Sequence, residues 1–336
     1  MQIQHNISLK KYNTFSIAAS AAAFAAFSTP GELAALLDRF RAQQIVLLGG
    51  GSNVLLTGDV AGAVLKNEIM GIEKTGEDAE FVYIKCGGGE NWHKLVMYCV
   101  AHQWAGVENL ALIPGSTGAG PIQNIGAYGV ELKDVFFELE AWHRGERRIV
   151  TFSGSDCGFG YRDSVFKRKY RDQFVILNVS FRLRRIPVYH TGYGAIREEL
   201  EKSGVQDLSI AAIADAVCRI RRSKLPDPAQ IGNAGSFFKN PAIPRAQYQE
   251  LQDKFPGMAA HPQENDTVKI AAGWMIEQCG WKGYREGDTG CHPKQALVLV
   301  NYGHATGEQV LQLARKISDS VMDKFGVRIE PEVNII

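Results

Sequence analysis

One serine in the segment GNAGSFFKNP (232–241) lies between a glycine-rich turn and two phenylalanines. A serine in this setting could act as a nucleophile, bind a phosphate, donate a proton or close a turn. A nucleophilic role is disfavoured, because the segment lacks the G-x-S-x-G pattern and no histidine is obviously placed to activate the hydroxyl. Ser236 is therefore a candidate for chemistry whose role the neighbouring residues leave open.

Two charged residues stand in comparable segments. Arg162 lies in FGYRDS, and an arginine can hold a carboxylate through two parallel hydrogen bonds because its guanidinium is always protonated. A surface arginine beside Asp163 is the simpler interpretation. Glu332 lies in EPEV, where strand alternation would place it on the same face as Glu330. Spacing alone does not choose between the two glutamates.

Two glycine-rich segments could bind an extended ligand. Consecutive glycines in GGGSN (49–53) let backbone N–H groups converge on an anion. The following VLL is predicted as a strand, so the segment does not fit a Rossmann fingerprint, and a tight turn is the simpler interpretation. The segment LIPGSTGAGPIQNIGAYG (112–129) adds side-chain amides to many glycines. Long irregular loops of this kind are usually functional, and together the two predict a ligand with phosphates and a flat ring system.

The elements that must position these residues alternate between helices and strands, which indicates an α+β fold. Thr29, Pro30 and Glu32 predict the start of the first helix. The alanine-rich run SIAASAAAFAAF (16–27) predicts a buried strand and not a secretory signal, because it lacks a leucine-dense centre. Further helices are predicted at 91–104, 209–222, 244–255, 267–279 and 306–325, further strands at 45–48, 62–66, 81–86, 135–142, 174–183 and 327–336, and an exposed crossing at 186–200.

Length and composition exclude several classes of protein. The 336 residues predict two or three domains, and a net charge of +1, from 37 basic and 36 acidic residues, argues against a nucleic-acid-binding protein. The six cysteines have neither metal-ligand nor disulfide spacing, so we expect no metal and a reducing, cytoplasmic compartment. No run is long enough to span a membrane.

Several of these segments, taken in order, resemble those of the UDP-N-acetylenolpyruvoylglucosamine reductase (MurB) family. The resemblance covers nearly the whole chain and rests on the following strings: NTFSI, LGGGSN, NLALIPGSTGAGPIQNIGAYGVE, FGYRDSVFK, KLPDP, GNAGSFFKNP, AAGWMI and EPEV. It implies an α+β protein with an FAD-binding module of the vanillyl-alcohol-oxidase (PCMH) type followed by a C-terminal α+β substrate-binding domain.

The resemblance also implies a domain division. Residues 1–185 would form the FAD-binding region, with two subdomains that divide near residue 67. Residues 186–225 would be a loop and a connecting helix, and 226–326 the substrate-binding domain. Residues 327–336 would be a strand that returns to the catalytic site.

The implied reaction is the reduction of UDP-N-acetylglucosamine enolpyruvate to UDP-N-acetylmuramate, a step of peptidoglycan precursor synthesis. NADPH would reduce FAD, and flavin N5 would deliver hydride to C3 of the enolpyruvyl group. Arg162 would stabilise the negative charge on the substrate carboxylate, and Ser236 would donate the proton to C2. The resemblance selects Glu332 over Glu330, and Glu332 would act best when protonated.

The resemblance extends to cofactor and substrate contacts. Tyr193 would lie on a loop found in one subgroup of the family, as a lid over the substrate or simply as an exposed aromatic residue. Where members with this loop often carry a tyrosine, this chain has His261. Cys86 and His93 lie near the loops as the two candidates for covalent attachment. We expect FAD to be bound non-covalently, because no motif of the family places either residue at the flavin ring. The implied FAD-binding residues are Gly49, Gly50, Gly51, Ser52, Asn53, Ser116, Gln123, Asn124, Gly126, Tyr128 and Arg221; the implied substrate-binding residues are Tyr193, Lys224, Asn240, Lys282 and Gln295.

Two other functions stay open at this point. An FAD-dependent oxidase of the same fold would share the first 185 residues, but it would have no use for Arg162, Ser236 and Glu332 together. A non-catalytic nucleotide-binding relative would keep the fold and lose the chemistry. The three positions carry the residue types that catalysis needs, which argues against such a loss. We expect a monomer that acts on small molecules, with neither a nucleic acid nor a membrane as partner.

Overall fold

A computed structural model describes residues 2–263 and 266–336 of the chain. Twenty strands and eight α-helices are found in these ranges. The strands are β1 (Ile3–Ser8), β2 (Ser20–Phe27), β3 (Ile45–Leu48), β4 (Val54–Leu55), β5 (Val60–Asn67), β6 (Ile72–Glu77), β7 (Phe81–Gly87), β8 (Gly126–Ala127), β9 (Val130–Glu131), β10 (Phe136–His143), β11 (Arg148–Ser153), β12 (Phe174–Arg184), β13 (Gly232–Asn233), β14 (Ala242–Pro244), β15 (Ala260–Pro262), β16 (Thr267–Ile270), β17 (Arg285–Glu286), β18 (Thr289–Cys291), β19 (Leu299–Asn301) and β20 (Asn334–Ile335). The helices are α1 (Pro30–Arg39), α2 (Trp92–Ala101), α3 (Gly154–Cys157), α4 (Gly194–Lys202), α5 (Ile210–Lys224), α6 (Arg245–Lys254), α7 (Ala272–Gln278) and α8 (Gly307–Phe325).

The chain forms two compact units that exchange segments along the sequence. The first unit consists mainly of Ala21–Gly51 and Val60–Ser223. The second unit consists of Ser8–Ser20, Ser52–Asp59 and Lys224–Ile336. The division between Ser223 and Lys224 lies close to the boundary predicted at 226, and the functional domain division at 185, 226 and 327 remains a prediction.

The first unit contains two large sheets. The smaller has the strand order β1-β2-β5-β3, and β5 pairs in parallel with β2 and with β3. Strands β2 and β5 alternate little because most of their residues are buried, as in parallel sheets covered on both faces. The larger sheet is antiparallel, with the order β11-β10-β12-β7-β6. Trp92 of α2 packs edge-on against Phe181 of β12, so that α2 covers this sheet and is anchored there.

The second unit is built around an antiparallel sheet with the order β13-β19-β18-β17. A three-stranded sheet, β14-β16-β15, and a parallel pair of β20 with β4 complete it. Helix α8 buries one apolar face, because its buried residues recur at helical spacing. It begins at a Thr306–Gln309 capping box and ends at Gly326, as the sequence predicts.

Most predicted elements are confirmed, and three predictions are wrong. The helix predicted at 267–279 begins as strand β16 and becomes helical only at Ala272, because TVKI pairs with β14 and β15. The strand predicted at 327–336 is regular only in β20. The exposed crossing predicted at 186–200 contains the start of α4. Strand β6 was not predicted, since its sequence is polar and it lies at a sheet edge.

The described residues contain neither a membrane-spanning helix nor a cluster of metal-binding side chains. Among residues 2–263 and 266–336, no helix combines the length and the apolar character needed to cross a membrane. Within the same ranges, His, Cys, Asp and Glu side chains form no group of three or more that could hold a metal ion.

Candidate active site

In the first unit the two glycine-rich segments meet at a cleft of about 470 Å³. Gly49, Gly50, Gly115, Ser116 and Asn91 are among its lining residues. A Cβ atom on Gly50 would lie 2.8 Å from the Gly115 Cα, and one on Gly49 would lie 2.2 Å from the Ser116 Oγ. The glycines are therefore required for the close approach of the two backbones. This approach brings together two segments that the sequence only suggested as one site.

The second glycine-rich segment is held in shape by Asn124. This residue is fully buried and adopts φ +45°. Its Nδ2 donates to Glu131 Oε2 (3.0 Å) and to the Gly160 carbonyl oxygen (3.0 Å), and its Oδ1 accepts from Lys133 N (3.0 Å). The side chain is therefore engaged with the protein itself, so an FAD contact at this position would have to come from the backbone.

Arg162 reaches the same segment from the loop before β12. Its Nη1 donates to the Asn124 carbonyl oxygen (3.3 Å), and its Nη2 donates to that of Gly126. Glu131 Oε1 lies 3.9 Å from Nη1. The side chain is mostly buried, with 18% exposed, which rules out the simple surface arginine considered from the sequence. The ion pair with Asp163 belongs to Arg168 instead (2.8 Å).

A second arginine lies close to this cluster. Arg221 on α5 donates from Nε to the Leu112 carbonyl oxygen (3.2 Å) and is hydrogen-bonded to the Tyr128 side chain. Burial lowers the pKa of Arg221, and the nearby charge of Arg162 acts in the same direction. Burial raises the pKa of the Tyr128 hydroxyl, which stays protonated at neutral pH. The first unit therefore brings Arg162, Tyr128 and Arg221 together, as the sequence predicts for parts of one site.

The loop that carries Tyr193 contacts this cluster. The Tyr193 ring is 55% exposed and packs edge-on against Tyr128, with 5.4 Å between ring centroids. Asn109, which is 1% exposed, donates from Nδ2 to the carbonyl oxygens of Tyr128 (3.1 Å) and His190 (2.8 Å). Sequence reasoning did not find Asn109, because a single asparagine in ENL carries no distinctive pattern.

In the second unit Ser236 is half-buried at the end of a tight turn. Gly235 adopts φ +68°, and its N–H donates to Asn233 Oδ1 (2.9 Å). The two following phenylalanines are at most 1% exposed, and their rings pack against each other at 5.1 Å. The Phe237 N–H donates to the Leu297 carbonyl oxygen (2.7 Å). The hydroxyl is thus presented by a turn whose far side is fixed in the core.

Glu332 is held beside this turn by its backbone. Its N–H donates to the Phe237 carbonyl oxygen (2.7 Å), and the Lys239 N–H donates to the Glu330 carbonyl oxygen (2.9 Å). Regular alternation fails here, since Glu330 is exposed whereas Glu332 is half-buried. The structure thus separates the two glutamates that spacing could not, and it places Glu332 next to the Ser236 turn.

The predicted substrate-binding residues of the second unit have differing environments. Asn240 Oδ1 accepts from Ala272 N at the start of α7 (2.9 Å). Gln295 Oε1 accepts from Leu297 N (3.4 Å), and the Leu297 carbonyl oxygen accepts from the N–H of Phe237, the residue after Ser236. Lys282 forms an ion pair with Glu277 (2.8 Å), and Lys224 and His261 are exposed.

Burial and hydrogen bonding engage the two residues considered for covalent attachment of the cofactor. Cys86 is fully buried, and burial raises the pKa of its thiol to about 12. His93 Nδ1 accepts from Leu112 N (3.0 Å), and burial lowers its pKa.

Comparisons with known proteins decide between the possible functions. Residues 21–153 match a model described as an FAD binding domain, and residues 227–336 match the UDP-N-acetylenolpyruvoylglucosamine reductase C-terminal domain. UDP-N-acetylenolpyruvoylglucosamine reductase of Amoebophilus asiaticus is 49% identical over 100% of both chains. That of Chromobacterium violaceum is 47% identical over 100% of this chain and 99% of its own. The chain belongs to the UDP-N-acetylenolpyruvoylglucosamine reductase family.

A solved structure supports the fold assignment. The reductase of this name from Thermus caldophilus superposes with a TM-score of 0.70 and covers 100% of this chain and 99% of its own, at 24% identity. The fold class predicted from the sequence, an FAD-binding module followed by an α+β C-terminal domain, is confirmed. The family assignment favours the reductase over the oxidase and over the non-catalytic relative.

Membership of the family makes the chain an FAD-dependent oxidoreductase with NADPH as co-substrate. The cleft fits such a cofactor. Gly49 and Gly50 let the two segments lie closer together than any Cβ atom would allow, and backbone N–H groups in such loops suit a diphosphate. Arg221, which is half-buried and bonded to Leu112 at the start of the second glycine-rich segment, supplies positive charge of the kind a dinucleotide needs.

Proposed function

We propose that this chain reduces the enolpyruvyl ether of UDP-N-acetylglucosamine enolpyruvate to UDP-N-acetylmuramate with NADPH, with Ser236 and Glu332 at the reacting carbons. The observation that carries the proposal is the hydrogen bond of 2.7 Å from Glu332 N to the Phe237 carbonyl oxygen, which fixes Glu332 beside the Ser236 turn. The chemistry that FAD supplies when bound is hydride transfer, from NADPH and then to C3 of the enolpyruvyl group.

Ser236 supplies the proton that this reduction requires at C2. A serine hydroxyl is a weak acid, but the carbanion left after hydride addition is a strong enough base to take its proton. The tight turn at Gly235 and the buried phenylalanines keep the hydroxyl in a fixed position, which general acid catalysis needs.

Glu332 and Arg162 stabilise the negative charge that spreads into the substrate carboxylate. Glu332 acts as the protonated acid and donates a hydrogen bond, because a second carboxylate nearby favours its neutral form. Arg162 binds the carboxylate through its guanidinium. Its bonds to the carbonyl oxygens of Asn124 and Gly126 preorganise it before substrate arrives.

We assign FAD binding to the two glycine-rich segments and to the side chains beside them. Gly49, Gly50, Gly51, Ser116 and Gly126 would contribute mainly backbone contacts. Non-covalent attachment is supported by the burial and high thiol pKa of Cys86 and by the engaged His93. The other residues assigned to FAD are Ser52 and Asn53, through their backbone groups, and Gln123, Asn124, Tyr128 and Arg221.

Substrate binding is assigned to Tyr193, Lys224, Asn240, Lys282 and Gln295. Tyr193 would cover the bound substrate, and its packing on Tyr128 supports a position beside the site. The amide of Asn240 would use Nδ2, since Oδ1 is bonded to α7. Exposed Lys224 and Lys282 would meet the diphosphate.

The domain division and the setting of the protein belong to the same proposal. We assign residues 1–185 to FAD binding, 226–326 to substrate binding and 327–336 to the segment that carries Glu332. The placement of the matched models at 21–153 and 227–336 supports this division. We propose a cytoplasmic monomer without nucleic-acid or membrane partners, and the free cysteines support a reducing compartment.

Two half-reactions test the proposal. The purified holoenzyme should be yellow, and anaerobic NADPH should bleach it. Addition of UDP-N-acetylglucosamine enolpyruvate should restore the colour much faster than air does, with UDP-N-acetylmuramate as the product. Rapid reoxidation by air, with no response to the enolpyruvyl substrate, would favour an oxidase and contradict the proposal.

A further inference from the structure

The first three residues of the GGGSN segment lie in one unit and the last two in the other. Gly51 belongs to the first unit, whereas Ser52 and Asn53 belong to the second. The family resemblance predicts that all five residues bind FAD. In the second unit, however, Asn53 lies against the segment that carries Glu332.

Asn53 bonds to this segment through both its side chain and its backbone carbonyl oxygen. Its Nδ2 donates to the Glu332 carbonyl oxygen (3.3 Å). Its own carbonyl oxygen accepts from Asn334 N (3.0 Å) and from Asn334 Nδ2 (3.0 Å). Three hydrogen bonds therefore join Asn53 to residues 332–334.

The Glu332 backbone is held from two sides as a result. Its N–H is bonded to the Phe237 carbonyl oxygen (2.7 Å), which belongs to the residue after Ser236. Its carbonyl oxygen accepts from Asn53. From Asn334 onward the chain forms β20, which pairs with β4. Thr57 donates from both N and Oγ1 to the Ile336 carbonyl oxygen (2.8 Å each).

We infer that Asn53 is a positioning residue that sets the placement of Glu332 relative to Ser236. The segment from Glu330 to Val333 has little regular structure of its own, so its path depends on such individual bonds. Fixing the backbone on both sides of Glu332 restricts where its carboxyl group can reach, and small displacements of catalytic groups are costly. This inference rests on the proposed role of Glu332.

A positioning role of the Asn53 side chain and a cofactor-binding role predict different effects of a substitution. A cofactor contact would alter FAD affinity, the flavin spectrum or the reduction by NADPH. A positioning role acts only when the enolpyruvyl group is reduced. The two half-reactions therefore separate the two roles.

The test uses Asn53→Asp in the holoenzyme, because aspartate keeps the shape but cannot donate to the Glu332 carbonyl. We expect reoxidation by UDP-N-acetylglucosamine enolpyruvate to slow by roughly tenfold, as the loss of one positioning hydrogen bond implies. The rate of reduction by NADPH, the flavin spectrum and the FAD dissociation constant should match the wild type. Thr57→Val, which removes one bond farther along the same segment, is the matched control and should react as the wild type.

A double-mutant cycle with Glu332→Gln gives the decisive readout. If Asn53 acts through Glu332, N53D should add no further loss in the E332Q background. Equal losses in both backgrounds, a weakened FAD affinity or an unchanged reoxidation rate would overturn the inference. If N53D does not accumulate as folded holoenzyme, Asn53→Ser is measured against the same outcomes.

The same experiment separates this inference from the proposed function. If E332Q itself is reoxidised like the wild type, the proposed role of Glu332 fails, and the inference fails with it. If E332Q is slow and N53D is not, only the inference fails.

Discussion

Arg162 and Ser236 are assigned to one reaction, yet the two are held in place by different kinds of contact. In the first unit side chains donate hydrogen bonds to main-chain carbonyl oxygens. Arg162 donates to those of Asn124 and Gly126. Asn109 donates to those of Tyr128 and His190. In the second unit main-chain bonds fix the two segments to each other and to the core: the Phe237 N–H donates to the Leu297 carbonyl oxygen, and the Glu332 N–H donates to that of Phe237. The Asn53 side chain adds one bond to the Glu332 carbonyl oxygen. The side chains of Ser236 and Glu332 are thus not needed for these main-chain bonds.

The difference predicts how substitutions should act. A substitution in the first unit removes a catalytic or binding group and also releases buried carbonyl oxygens, so activity and stability should fall together. A substitution of Ser236 leaves the main-chain bonds in place, so activity should fall alone. Each of the following predictions tests one part of this contrast.

Arg162→Met should have the largest combined effect. We expect kcat/KM to fall by about 10²–10³-fold, as for loss of one preorganised electrostatic contact. The free energy of unfolding should fall by about 1–3 kcal/mol, because two buried carbonyl oxygens lose their donor. Steady-state kinetics and thermal unfolding measure the two effects, with Arg168→Met, at an exposed arginine, as the control. Full stability with low activity would remove the contrast between the units.

Asn109→Ala should lower stability more than chemistry. The substitution removes both hydrogen bonds that hold Tyr128 and His190, at a cost of roughly 2–3 kcal/mol. Denaturant unfolding measures the loss, and Gln230→Ala at an exposed position is the control. A stability equal to the wild type would show that Asn109 does not hold this region.

Gly50→Ala should weaken FAD binding by roughly tenfold, which corresponds to about 1.4 kcal/mol. The new Cβ would lie 2.8 Å from the Gly115 Cα, so the two glycine-rich segments must move apart. Titration of the apoprotein with FAD measures the change. Gly58→Ala, which has open space around its Cβ position, is the matched control. Unchanged FAD affinity in G50A would contradict the assignment of this cleft to the cofactor.

The smallest effect concerns acid sensitivity of the first unit. Burial lowers the pKa of His93 in the folded state, so below pH of about 6.5 the unfolded chain binds a proton that the folded chain does not. Stability should therefore fall as pH falls through this range. His93→Asn keeps an acceptor for Leu112 N and should flatten this part of the dependence of Tm on pH. An identical pH dependence in both proteins would contradict the account of His93.

Much of this architecture could be predicted from the sequence where local signals decide it. Thr29 and Thr306 mark helix starts that the structure confirms, because capping depends on residues three positions apart. The strand at Thr267–Ile270 was predicted as part of a helix, because its partners β14 and β15 are not visible in its own residues. Tertiary pairing decides such cases.

In the candidate site, too, local signals could be predicted from the sequence and long-range contacts could not. The glycine-rich segments and the three catalytic candidates stood out by composition and by family resemblance. Asn109 gave no such signal, and the link from Asn53 to Glu332 joins residues 279 positions apart. Long-range partners of this kind are set by the fold, so only the structure could show them.

Single-turnover reoxidation of Ser236→Ala holoenzyme tests the central claim most directly. The enzyme is first reduced anaerobically by NADPH and then mixed with UDP-N-acetylglucosamine enolpyruvate, while flavin absorbance is followed. We predict reduction by NADPH at the wild-type rate, an unchanged Tm, and reoxidation slower by at least about 10²-fold, because the proton for C2 has lost its donor. Reoxidation at the wild-type rate would contradict the account.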